Sequence, residues 1–186
     1  MKFNFRSAKI LDFDTESRPL SYLGHDFTTS EITAIACSFN DDDYVYCWLL
    51  GELPLGQLLY RFYELYQCAD IVTGHYIRKH DLPRINGMLT EHGFPPLPPK
   101  LTIDTYSDLK TIQGVSKSQE SLSDMLGIEA PKVGMSQAAW RAANRLQRLD
   151  LTRNRVTGDV RQHQELRLRL TALGWLNPPK VWSGSK

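Results

Sequence analysis

Ala8-Lys9-Ile10-Leu11-Asp12-Phe13-Asp14-Thr15-Glu16 is the stretch that decides how this chain is read. Apolar residues dominate its first half and carboxylates its second. A strand of this kind buries its start in a sheet and delivers acidic groups at its end, where open α/β sheets build their sites. Asp14 and Glu16 stand two residues apart, so in a strand both leave the same face. Asp12 has the same parity. It is read as an ordinary polar residue, with an Asp12/Asp14 pair as the alternative to Asp14/Glu16.

Outward from this strand, the pattern alternates. Segments 32–39 and 44–50 are rich in β-branched, aromatic and other apolar residues, and Asn40-Asp41-Asp42-Asp43 between them is a turn, which predicts a hairpin. Leu55, Leu58, Leu59, Phe62, Leu65 and Tyr66 recur at helical spacing. A short buried strand is predicted at 70–74. A helix follows from Asp81, which can cap it, with Pro83 tolerated in the first turn and an end at His92-Gly93. Residues 101–105 read as a last short strand. Ser121 is the expected N-cap of a helix over 122–126, and 136–147 form a further helix. A long helix covers 151–173, with Val160, Leu166, Leu170 and Leu173 on one side, closed by Gly174. Residues 177–186 read as an extended surface tail. The order predicts an α/β fold, a mixed β-sheet flanked by helices. No repeat or low-complexity linker divides the chain, so 1–186 is read as a single domain with its core at about 8–176.

Composition sets the class. The 186 residues are 41% hydrophobic and 23% charged, as in ordinary globular proteins. No apolar run approaches the roughly 20 residues of a membrane span, and no apolar secretory core is visible, so the expectation is a cytoplasmic protein without membrane association. Three cysteines without CxxC spacing argue for free thiols over a zinc site. Trp48, Trp140 and Trp175 are expected as core or packing residues, with base stacking by one of them as the alternative. The net charge is only +1, but residues 1–70 hold 5 Lys and Arg against 11 Asp and Glu, whereas 141–186 hold 10 against 3. An acidic region beside a basic one suits a polyanion held near metal-binding carboxylates; a solvated basic helix is the equal alternative.

Four carboxylates fall at sheet ends or on helices that can face the sheet: Asp14, Glu16, Asp81 and Asp159. Hard divalent cations such as Mg²⁺ take carboxylate oxygens. Phosphodiester hydrolysis with two ions needs several acidic groups gathered from separate segments.

The residues that carry these carboxylates resemble the DEDD 3′–5′ exonuclease superfamily. Phe13-Asp14-Thr15-Glu16 is similar to its first motif, Gly74 to Pro83 (with Asp81) to its second, and Gly158-Asp159-Val160 to its third. Ile103-Asp104-Thr105 and Ser121 to Gly127 resemble the segments between motifs two and three, and the likeness runs from about 9 to 176, nearest to small bacteriophage-encoded members. The resemblance implies a ribonuclease H-like fold. It also implies two Mg²⁺ or Mn²⁺ ions held by Asp14, Glu16, Asp81 and Asp159, and removal of nucleotides from a 3′ end. The expected partner is nucleic acid, a DNA single strand above all, and with it replication or recombination proteins. Tyr76, Arg153 and Arg155 are the candidate nucleic-acid contacts.

Three positions depart from the family pattern. Tyr76 replaces its Asn and His80 its aromatic residue, and Arg155 and Asn154 stand where a Tyr or a His assists the attacking water. Arginine stays protonated and cannot be a base. His163, one helical turn after Asp159, is a candidate substitute, as are His80 and His75; activation by metal alone is the other alternative. The expected activity is a metal-dependent 3′–5′ exonuclease. The alternatives are a catalytically weakened relative that binds nucleic acid or a replication partner, and an exoribonuclease on the same fold.

Overall fold

The computed structural model describes residues 7–19, 30–111, 113–129, 136, 138–139, 142–143 and 148–184. One mixed sheet organises them, in the strand order β3-β2-β1-β4-β5-β6. β1 (Ile10–Pro19) lies at its centre, antiparallel to β2 (Ser30–Phe39) and parallel to β4 (Ile71–Gly74). β2 turns into the antiparallel β3 (Tyr46–Leu49), and β4 pairs in parallel with β5 (Lys100–Asp104). The helices are α1 (Leu55–Cys68), α2 (Asp81–Glu91), α3 (Gln119–Met125) and α4 (Leu149–Ala172). This is the mixed-sheet α/β architecture expected, consistent with a ribonuclease H-like fold. Among the described residues no helix is long and apolar enough to cross a membrane.

Strand alternation divides β1 between two layers. Leu11 and Phe13 enter the main core with Leu58, Leu59 and Phe62 of α1 and Leu82 and Ile85 of α2. Asp12, two residues before Asp14, leaves the opposite face toward α4, where it meets His163 and Arg167. On that face β2 contributes Ala34 and Ala36, packed with Leu49, Val156 and Val160. These alanines are the cross-strand partners of Glu16 and Asp14. Their small side chains leave room for α4 to lie over the acidic end of β1. The register shifts between Glu16 and Ser17, and residue 33 is the extra one in β2. That bulge switches the parity of β2, so that Ile32 and Ile35 both reach the main core.

Several sequence expectations need correction. Residues 180–182 form β6 (Lys180–Trp182), antiparallel to β5, and Trp182 is buried in the main core. A three-residue strand has no pattern of its own, and the open edge of β5 creates it. The N-cap of α3 is Ser118, whose side chain accepts from the Ser121 amide. The cap position of α2 is His80, without a side-chain capping bond, and Asp81 is the first helical residue. Leu173 and Trp175 are exposed, and Trp48 is partly buried against the main core. Trp140 lies outside the described residues, as does most of the helix expected at 136–147. The three cysteines are free, Cys37 buried, Cys47 partly buried and Cys68 exposed.

Candidate metal centre

Asp14 and Glu16 come from the acidic half of β1, and Asp159 comes from the middle of α4. One carboxylate oxygen of each lies within 4.8 Å of the others. Glu16 is buried, Asp14 and Asp159 partly so. Burial drives the Asp14 carboxyl well above the ordinary carboxylate range, and the charges of Asp159, Asp81 and Glu16 add to it. Burial likewise raises Glu16 to about 7, against the opposing pull of Arg155 and with help from Asp159 and Asp81. Three acidic groups gathered into one partly dry place repel one another unless a cation joins them. The donor set is all carboxylate oxygen, which fits a hard divalent ion.

Asp81 stands beside this group. It is buried in the first turn of α2 and accepts a hydrogen bond from the Thr15 hydroxyl on β1. Its charge raises both Asp14 and Glu16, although the 4.8 Å group does not include it. Asp81 is held in place by the turn 75–80. Gly74 ends β4 in contact with β1: a Cβ there would meet the Phe13 carbonyl oxygen at 2.7 Å and the Ile77 side chain at 2.3 Å. Tyr76 follows in the left-handed region, at φ 66°. A buried Asp104 makes this backbone possible, accepting from the amides of Tyr76 at 3.0 Å and Arg78 at 3.1 Å. Asp104 also accepts from the amides of Tyr106 and Ser107, so it forms the turn after β5 and braces the neighbouring loop as well. Arg78 completes the brace with a double contact to the buried Asp108, at 2.7 and 2.6 Å.

Arg155 lies in the cluster itself. Its Nε donates to Glu16 Oε1 and stands 4.0 Å from Asp159 Oδ2, one helical turn along α4. Glu16, Asp159 and Asp14 hold its guanidinium above its ordinary pKa, against the effect of burial.

His163 is not in this group. Its ring is buried, and Nδ1 lies 2.9 Å from Asp12 Oδ1. Asp12 is completely buried and accepts from Arg167 Nε and Nη2 at 2.8 and 2.7 Å. Arg167 and His163 hold its carboxyl below the usual range, overcoming burial. Asp12 is thus the centre of an internal ion network, not the ordinary polar residue expected. Of the other histidines, His75 Nδ1 lies 2.9 Å from Thr105 Oγ1, and His80 Nδ1 lies 3.4 Å from Asp81 Oδ2.

The candidate nucleic-acid contacts separate. Arg153 is paired with Glu52 at 2.5 Å, and Arg155 with Glu16. Tyr76 is partly exposed and meets the Tyr106 ring edge-to-face at 4.7 Å; Tyr106 meets the His75 ring in the same way at 5.5 Å. Sequence reasoning missed Asp104, Asp108 and Arg78 as the brace, the Asp12–His163–Arg167 network and Tyr106. An Asp at a strand end followed four residues later by another Asp was the signal available for the brace. The network had none, because its partners are about 150 residues apart.

No protein-family model matches this chain, and no curated protein matches it. Among solved structures it is similar to a family B DNA polymerase from the hyperthermophilic archaeon Pyrobaculum calidifontis, with a TM-score of 0.66 and 15% identity. The likeness covers 88% of this chain and 24% of the polymerase, so the chain corresponds to about a quarter of that protein. At that identity the agreement is one of fold.

Proposed function

We propose that this protein is a metal-dependent 3′–5′ exonuclease that hydrolyses phosphodiester bonds at the ends of DNA single strands. The convergence of Asp14, Glu16 and Asp159 from segments about 145 residues apart carries the reading. Asp81, whose charge is felt by Asp14 and Glu16, is the fourth proposed ligand. Mg²⁺ or Mn²⁺ bound to them would neutralise charge on the phosphodiester and orient the attack.

The chain's own residues then have distinct tasks. Tyr76 and Tyr106 offer exposed ring surface at the ends of β4 and β5, suited to stacking an unpaired base. Stacking on rings suits single strands better than duplex. Arg153 and Arg155 are held by Glu52 and Glu16, so either meets a phosphate only after leaving its partner. His80 lies against Asp81 with its side chain 40% exposed, which makes it the histidine a substrate can reach, whereas His163 is enclosed with Asp12. His163 therefore serves position, fixing α4 against β1. The structural neighbour being a DNA polymerase agrees with DNA as the polymer.

The test is a labelled single strand incubated with the full chain and Mg²⁺ or Mn²⁺. The expected result is stepwise shortening from the 3′ end that stops with chelator and with Asp14→Ala. A blocked 3′ end that is still cut would make the protein an endonuclease. Faster shortening of the matching RNA would make RNA the substrate. A second reading rests on Arg155: with its guanidinium on Glu16, the protein would hold a strand end without cutting it. Binding of the strand with no metal-dependent shortening selects that reading.

A further inference from the structure

We propose that the Arg155 guanidinium stands in for one of the two cations that such a carboxylate cluster calls for, so that the site takes a single divalent ion. The inference rests on the metal-site reading above and goes beyond it, since the resemblance in sequence implies two ions.

Three observations carry it. The first is contact: Arg155 Nε donates to Glu16 Oε1 and lies 4.0 Å from Asp159 Oδ2. Two of the three clustered carboxylates therefore already have a cation beside them. The second is that the contact is built in. Arg155 precedes Asp159 by one helical turn, so both side chains leave α4 on one side. Ala34 and Ala36 let that side lie against β1. The guanidinium is half-enclosed and permanently charged. The third is charge. Asp14, Glu16, Asp81 and Asp159 carry four negative charges when ionised. Two divalent ions alone would balance those four charges, whereas two ions together with Arg155 leave the site net positive. The guanidinium occupies one acceptor direction of the Glu16 oxygen it holds, a direction that a metal could otherwise use. Repulsion between Arg155 and a second ion a few ångströms away in a partly dry site adds to this.

The test is a Mn²⁺ titration of the full chain, followed by calorimetry and by electron paramagnetic resonance. The wild type is expected to bind one Mn²⁺ and to give the spectrum of an isolated ion. Arg155→Gln is expected to bind two, with a spin-coupled spectrum and a first site roughly tenfold tighter or more, because a unit charge has been removed from beside it. Arg155→Lys keeps a cation there and is expected to stay at one. A spin-coupled pair in the wild type overturns the inference without any variant, and with Asp14→Ala binding none it leaves the metal-site reading standing. An unchanged count in Arg155→Gln also overturns it. Two ions in Arg155→Gln and none in the wild type would replace the one-for-one exchange by a complete block. No binding by the wild type or by a folded Arg155→Gln defeats the metal-site reading, and this inference with it.

Discussion

At the scale of single residues, burial and like charge set the behaviour of Glu16. Its carboxyl is raised to about 7 in the folded protein, from an ordinary value of 4.5. Between those two values the folded chain holds a proton that the unfolded chain has released. Stability without metal therefore falls as pH rises through that window, by a total on the order of 3 kcal/mol. Asp14 is shifted in the same direction and adds to the effect. Asp12 has the opposite sign, but its carboxyl titrates below its ordinary 3.8, so its contribution is lost only in stronger acid. Melting temperatures in chelator should therefore drop between pH 5 and pH 8. Saturating Mn²⁺ should cancel the drop at the upper end, and Glu16→Gln should flatten it. A rise with pH in chelator would mean that the pair with Arg155 outweighs burial.

Two elements hold the site from opposite sides, and each can be tested alone. α4 is fixed to β1 by the Asp12–His163–Arg167 network, which is completely enclosed. Removing Asp12 leaves the Arg167 guanidinium charged and dry, so Asp12→Ala should cost about 3–5 kcal/mol in urea denaturation. Asp12→Leu combined with Arg167→Met should recover much of that loss, because an apolar pair needs no compensation. If the double variant is no better than the single one, His163 needs the Asp12 carboxylate for itself. The turn 75–80 holds Asp81 from the other side. Tyr76 adopts a positive φ that aromatic residues rarely take, a cost of about 1–3 kcal/mol that the Asp104 bonds must offset. Tyr76→Gly relieves that strain but loses ring contact and adds chain entropy, so stability should change by less than about 1 kcal/mol. Affinity for a DNA single strand should fall by about 1–3 kcal/mol, the worth of a stacked base. Binding that is unchanged in a folded Tyr76→Gly removes the stacking role.

For the whole molecule, the edge strand β6 closes the sheet beyond β5. Trp182 from this strand fills the main core beside α2, and the Thr102 hydroxyl donates to the Lys180 carbonyl at 2.8 Å. A chain ending at Asn177 should lose about 3–5 kcal/mol, the usual cost of deleting a large buried aromatic side chain. It should also associate, because the freed edge of β5 presents unpaired backbone. Denaturation midpoints and light scattering read the two effects separately. Trp182→Ala in the full chain should show the first without the second.

Local pattern was enough for the elements that define the layers. The alternation of apolar and acidic residues in 8–16, the acidic turn at 40–43 and the leucine spacing from 55 to 66 each declare a period, and each forms where expected. That Asp14, Glu16 and Asp159, which lie together, are worth singling out was legible through their likeness to known motifs, since a lone carboxylate on a helix is by default only solvated. Partnership was not legible. That Arg155 would face Glu16, that Asp12 would be enclosed by His163 and Arg167, and that residues 180–182 would complete the sheet depend on pairs between about 80 and 155 positions apart. Spacing along a chain fixes which side chains share a face. Which opposing face they meet is decided by how the layers pack, and here two alanines on β2 bring α4 and its charges onto β1.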